Sequence, residues 1–153
     1  MNAIYEASKY EPRKSVGYLI NRIKGGMFAA LDHEISLDPE LAALELTASQ
    51  YTILTNLAEG DSDSTARFCK MMSYDPGAMT RMVDRLEAKG LIRRNRNSDD
   101  RRLVNLELTE AGHAAVPRLR ECSVRVLNKF LKGFSKADAA MLEQLLERMV
   151  ANM

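Results

Sequence analysis

Cysteine and histidine each occur only twice in this chain, and that scarcity removes several chemistries together. Cys69 and Cys122 are too few for a disulfide framework and lack C-x-x-C spacing. His33 and His113 stand far apart, so these four side chains offer no metal-ligand pattern. A Gly-rich phosphate loop, G-x-S-x-G and H-E-x-x-H are all missing. The expectation is a protein that is not an enzyme, with no metal and no cofactor. No apolar run approaches the ~20 residues that a bilayer span needs. The opening stretch MNAIYEASKYEPRKS lacks a signal-peptide pattern, so a cytoplasmic protein with no membrane partner and two reduced thiols is expected. A charge excess is missing too: 22 basic residues face 21 acidic ones, for a net charge of +1.

What is present is helix. The 153 residues fit one domain able to bury a core, and 46% apolar with 28% charged residues is ordinary for a globular chain. Across residues 16–35, Val16, Leu19, Ile20, Ile23, Met27 and Leu31 follow 3- and 4-residue spacing, which predicts one buried face. Gly25 and Gly26 interrupt it, either as a tolerated weak spot or as a place of close helix approach or bending. SLDPELAAL reads as a loop with a short helical turn. TASQYTILTNLAE opens with Thr47 and Gln50 at capping-box spacing and should bury Tyr51, Leu54 and Leu57. After the turn GDSDS, the short helix TARFCKMM leads through Ser73-Tyr74 into DPGAMTRMVDRLEAKG. There Asp75 can cap, Pro76 fits the first turn, and Gly90 closes the end. LIRRNR and LVNLEL flank the polar NSDDRR as a hairpin. Thr109 restarts helix, with Ala115, Leu119, Cys122, Val126 and Phe130 on one face and Pro117 bending it near its start. Gly133 ends it, and Ser135 with Asp138 caps a last amphipathic helix carrying Met141, Leu142, Leu145, Leu146 and Met149.

Two short helices joined by a tight turn and followed by a hairpin make a winged helix-turn-helix, whose second helix suits a DNA major groove. The apolar stripe Met79, Met82, Val83 and Leu86 leaves Gly77, Ala78, Thr80, Arg81, Asp84 and Arg85 on the opposite face. Small residues early on this helix permit close approach, and Arg81 and Arg85, one turn apart, can reach base edges or phosphates. Five of the ten residues 93–102 are arginine. Arg101 and Arg102 at the hairpin tip can enter a minor groove of high negative potential, with Arg93, Arg94 and Arg96 beside the phosphates. Asp99 and Asp100 disfavour DNA, so their expected role is to pair with an arginine and hold the wing. A pure protein-interaction module leaves the arginine-rich wing unexplained.

TRMVDRLEAKGLIRR, then Asp100-Arg101-Arg102, then LTEAG, resembles the MarR family of transcriptional regulators in register over nearly the whole chain; Met79 stands where a smaller aliphatic residue is more usual. The resemblance implies a mainly α fold with a small β-wing: a winged helix-turn-helix at 47–108 within a single domain 1–153, flanked by dimerisation helices at 12–35 and 109–153. It implies a homodimer on a pseudo-palindromic double-stranded DNA operator, and the surplus apolar faces of VGYLINRIKGGMFAAL, RECSVRVLNKFL and DAAMLEQLLERMV agree. It also implies an effector, a small aromatic carboxylate or phenol that releases a repressor, held between the first helix, the second helix and the long helix after the hairpin. The polar residues there are Arg13, Ser15, Tyr18, Arg22, Tyr51 and Thr55. The alternative is a cysteine-based redox-sensing repressor, but no cysteine precedes Cys69, and Cys122 lies on an apolar face.

Overall fold

The computed structural model describes residues 3–60, 64–96 and 104–153, except the side chains of Arg96 and Val104. Two 3-10 turns, Ala7–Lys9 and Pro12–Lys14, lead into α1 (Val16–Leu37) and α2 (Pro39–Ala43). α3 (Ala48–Glu59), α4 (Thr65–Met72) and α5 (Pro76–Ala88) follow. A two-stranded antiparallel sheet, β1 (Ile92–Arg96) and β2 (Val104–Leu108), separates them from α6 (Glu110–Phe130) and α7 (Lys136–Val150).

Local chemistry starts these helices. The Thr47 hydroxyl accepts the Gln50 N–H while the Gln50 carboxamide accepts the Thr47 N–H, and Ser135 with Asp138 repeats that reciprocal cap on α7. The Asp75 carboxylate accepts from Gly77 and Ala78, with Pro76 in the first turn. SLDPELAAL, expected to be mostly loop, contains the helix α2, because Asp38 accepts from both Glu40 and Leu41 and so caps it. Pro117 lies inside an α6 that continues to Phe130.

One apolar cluster joins α3, α4, α5 and the sheet to α6. Phe68 of α4, Met79, Val83 and Leu86 of α5, Ile53 and Leu54 of α3, Ile92 and Leu106 of the sheet and Leu119 of α6 are all fully buried in it. Met79, large for its position, is accommodated without exposure. Tyr51 and Leu57 of α3 are only half-buried; Ile53 and Thr55 are the residues buried beside Leu54.

The first and last helices bury little within this chain. On α1 only Leu31 and Ile35 are buried; Val16, Leu19, Ile20 and Ile23 are exposed, Ile23 at 49%. No residue of α7 is buried, and Met141, Leu142, Leu145, Leu146 and Met149 all face outward. Phe130, at the end of the buried face of α6, is also exposed. The apolar spacing is as the sequence shows it, but no described residue covers it. Gly26 marks a close approach: a Cβ there would lie 3.3 Å from the Phe130 ring, whereas one at Gly25 would meet nothing within 4 Å.

The junction of wing and α6 explains the T-x-x-G step. The Thr109 hydroxyl donates to the Gly90 carbonyl at 2.6 Å and accepts from the Gly112 N–H at 3.1 Å. The Leu91 carbonyl accepts the Thr109 N–H at 3.0 Å, and a Cβ on residue 112 would sit 2.1 Å from that oxygen. Gly112→Ala must therefore push α6 from the wing and cost about 1–3 kcal/mol or more. Gly25→Ala, in open helix, should gain up to about 1 kcal/mol. Urea unfolding at one protein concentration checks both; equal midpoints for the two variants would contradict this packing.

Candidate nucleic-acid interface

α5 is fixed by what it buries and defined by what it leaves out. With Met79, Val83 and Leu86 inside, Gly77, Thr80, Arg81, Asp84 and Arg85 are exposed and Ala78 is half-buried. At its start, Asp75 takes the Gly77 and Ala78 N–H groups at 2.9 and 3.0 Å, and the Thr80 hydroxyl donates to the Pro76 carbonyl at 2.8 Å. Gly77 lies close under its own cap: a Cβ there would stand 3.1 Å from the Asp75 Oδ1 and in ordinary contact, at 3.5 Å, with the Arg81 Nη1. Neither Arg81 nor Arg85 makes a hydrogen bond or ion pair among the described residues.

The wing arginines differ from these. β1 and β2 pair Arg93 with Glu107 and Arg94 with Leu106, and side chains alternate between the two sheet faces. Arg93 Nε donates to Glu107 at 2.9 Å, and Asn95 donates to the other carboxylate oxygen at 3.1 Å. These two contacts, Asn95 first, hold the Glu107 carboxyl below its usual range. Arg94 turns to the other face, where it meets Asp84 at 2.5 Å and also grips Glu87. The Asp84 hydrogen bond raises its guanidinium above the usual value. Arg93 and Arg94, expected beside phosphates, are thus already engaged by acids of the chain. The Arg96 side chain and Asp99, Asp100, Arg101 and Arg102 lie outside the described residues.

Glu87 and Glu107, absent from the expected set, are the acids that organise the wing. The signal for Glu87 was its position one turn beyond Asp84; strand alternation separates the faces of Arg93 and Arg94 without saying which of them meets α5.

An open cavity of about 560 Å³ lies beside α5, lined by Glu45, Thr47, Ser49, Gln50, Met82, Arg85 and Lys89. Lys89 donates to the Glu45 carbonyl at 2.6 Å, and burial pushes its ammonium below the ordinary value. Gln50 is 3% exposed; its oxygen accepts from Thr47, but its amide nitrogen has no hydrogen-bond partner among the described residues. Lys89 also donates to the Gln50 oxygen at 3.5 Å, so Arg85 is the cation of the lining without a partner among the described residues, and Glu45 is its acid.

The six expected effector residues do not converge on this cavity. Arg13, Tyr18 and Arg22 are exposed along the start of the chain and α1, and Tyr51 is half-buried. Ser15 donates to the Pro12 carbonyl and caps α1, while Thr55 donates to the Tyr51 carbonyl at 3.0 Å. Both hydroxyls serve local backbone. Of the cysteines, Cys122 is buried, which pushes its thiol up despite Arg125 Nη2 at 3.2 Å, and Cys69 is half-buried on α4.

A model of the MarR family matches residues 46–104, from just before the α3 cap to the start of β2. The multiple antibiotic resistance protein MarR of Escherichia coli K12 is 32% identical over 115 residues, which are 74% of this chain and 80% of that protein. Its counterpart from Salmonella typhimurium is 33% identical over the same shares. The crystal structure of a cysteine-to-serine mutant of E. coli MarR complexed with operator DNA superposes with a TM-score of 0.73 at 28% identity, covering 88% of this chain and 92% of that one. With a winged helix-turn-helix in that same register, the chain belongs to the MarR family of transcriptional regulators.

Proposed function

We propose that this protein is a homodimeric repressor that reads a pseudo-palindromic operator with the exposed face of α5 and is released by a small aromatic acid or phenol. The observation that carries the DNA reading is the contrast among arginines. Arg81 and Arg85 on α5 have no hydrogen-bond or ion-pair partner among the described residues, whereas Arg93 and Arg94 are held by acids. Guanidiniums free of partners on a helix of this position suit guanine edges or phosphates. In this reading 47–108 is the DNA-binding unit, Gly77 and Ala78 allow close approach, and Thr80 lines the groove. Residues 12–35 and 109–153 supply the dimer, supported by the exposed apolar stripes of α1 and α7. Two copies related by a two-fold axis would present two α5 helices to two half-sites.

For the effector, the cavity beside α5 is better equipped than the residues at the start of α1. A carboxylate there would meet Arg85, and it would take from DNA the guanidinium that reads it. The redox alternative gains nothing from a buried Cys122 whose thiolate is disfavoured.

Arg81→Ala and Arg85→Ala should each weaken binding to promoter DNA by about 1–3 kcal/mol if they meet base edges. A variant that loses only a phosphate contact should instead weaken all sequences alike and reduce the salt dependence. Fluorescence anisotropy over a salt series separates these outcomes, and wild-type affinity in both variants would mean that another element reads the DNA.

Titration calorimetry with hydroxybenzoates and hydroxycinnamates tests the effector. Binding is expected to be lost in Arg85→Ala and kept in Arg22→Ala. The reverse pattern moves the site to α1, and silence across the panel ends the effector reading.

A further inference from the structure

We propose that Arg94, through Asp84 and Glu87, is a positioning residue that sets the angle between wing and recognition helix and supports operator recognition without touching DNA. The proposal rests on the DNA-binding reading of α5. An acid on the DNA-facing side of a recognition helix is a liability, because it repels phosphate and raises the cost of approach. Asp84 is exposed there, one turn from Arg81 and next to Arg85, so its presence needs a reason that outweighs the repulsion.

The structure supplies one. Arg94 Nη2 meets Asp84 Oδ1 at 2.5 Å while Nη1 meets Glu87 Oε2, so one planar fork bridges two successive turns of α5. The other Glu87 oxygen accepts the Arg94 backbone N–H at 3.2 Å. Side chain and backbone of a single strand residue are thus tied to α5, across the short turn that joins helix to sheet. The tie also has the wrong charge for a DNA contact. One guanidinium with two carboxylates sums to −1, and both terminal nitrogens of Arg94 are occupied. At 30% side-chain exposure Arg94 is screened less than Arg93, whose side chain is 67% exposed.

The consequence is geometric. The recognition helix and wing are to engage neighbouring grooves at once, and a free hinge between them would spread the wing over many orientations. Fixing that angle before binding removes an ordering cost from association.

The test exploits a difference in sign. Asp84→Ala/Glu87→Ala removes two negative charges from the DNA-facing side, so simple electrostatics predicts tighter binding. Positioning predicts weaker operator binding, by about tenfold, with little change on non-specific DNA. Arg94→Ala should give a similar loss with the salt slope unchanged, and adding it to the acid-free variant should change nothing further. Circular dichroism and urea midpoints report whether each variant is folded, and Arg94→Lys, which keeps the charge but cannot fork across both acids, should recover part of the loss without requiring the others to fold. Tighter binding by the acid-free variant, or a salt slope lowered by about one in Arg94→Ala, overturns the proposal. Arg81→Ala in the same series tests the DNA reading separately. If it loses affinity while the Arg94 variants do not, only the positioning role fails.

Discussion

The exposed face of α5 has a single orientation because Met79, Val83 and Leu86 have none of their surface left in water. These residues sit in a layer with Phe68, Ile53, Leu54, Ile92, Leu106 and Leu119, drawn from α4, α3, the sheet and α6. Rotating α5 by one residue would pull a buried side chain into water and push Arg81 or Asp84 toward the core. Close-packed interiors resist such changes, so the apolar stripe fixes which face of α5 is exposed as firmly as any polar contact.

Around that core, polar ties fix orientation more than they add stability. α6 runs behind the whole unit and reaches three other helices through arginines: Arg118 to Asp38 at 2.9 Å, Arg120 to Glu59 at 3.2 Å, and Arg125 to Glu34 at 2.8 Å. Pairs this exposed are worth little individually. Asp38 shows how they combine: the Leu41 N–H first, and then Arg118, hold its carboxyl below the ordinary range. The same carboxylate caps α2 and docks α6, so the α1–α2 corner has one arrangement. Arg94 with Asp84 and Glu87 plays the equivalent part between helix and wing.

How much of this was legible in the sequence depended on range. Caps made across three residues, Thr47 with Gln50 and Ser135 with Asp138, were readable because donor and acceptor are near in sequence and the geometry is fixed. The stripe of α5 was readable for the same reason, since helical period alone places Met79, Val83 and Leu86 together. Arg94 was not, because its partners depend on how the strand leaves α5, and alternation alone does not say which face meets the helix. The ion pairs of α6 join residues in distant segments and leave no local signal. Most instructive is α1, where the spacing of Val16, Leu19, Ile20 and Ile23 predicts one apolar face that this chain itself leaves exposed. Periodicity reports that a face is apolar, not which chain covers it.

In the proposed reading, the unburied faces of α1 and α7 and the arginines of α5 that lack partners among the described residues belong to one picture, in which a second copy would cover the first set and thereby space the second. A hydroxyl-radical and methylation-protection footprint on promoter DNA, with the number of bound chains counted, tests that picture most directly. Two bound chains should protect two major-groove patches, related by a pseudo-two-fold axis and about 10–10.5 base pairs apart or a multiple of that spacing. A single protected patch with one bound chain, or uniform protection independent of sequence, would contradict it.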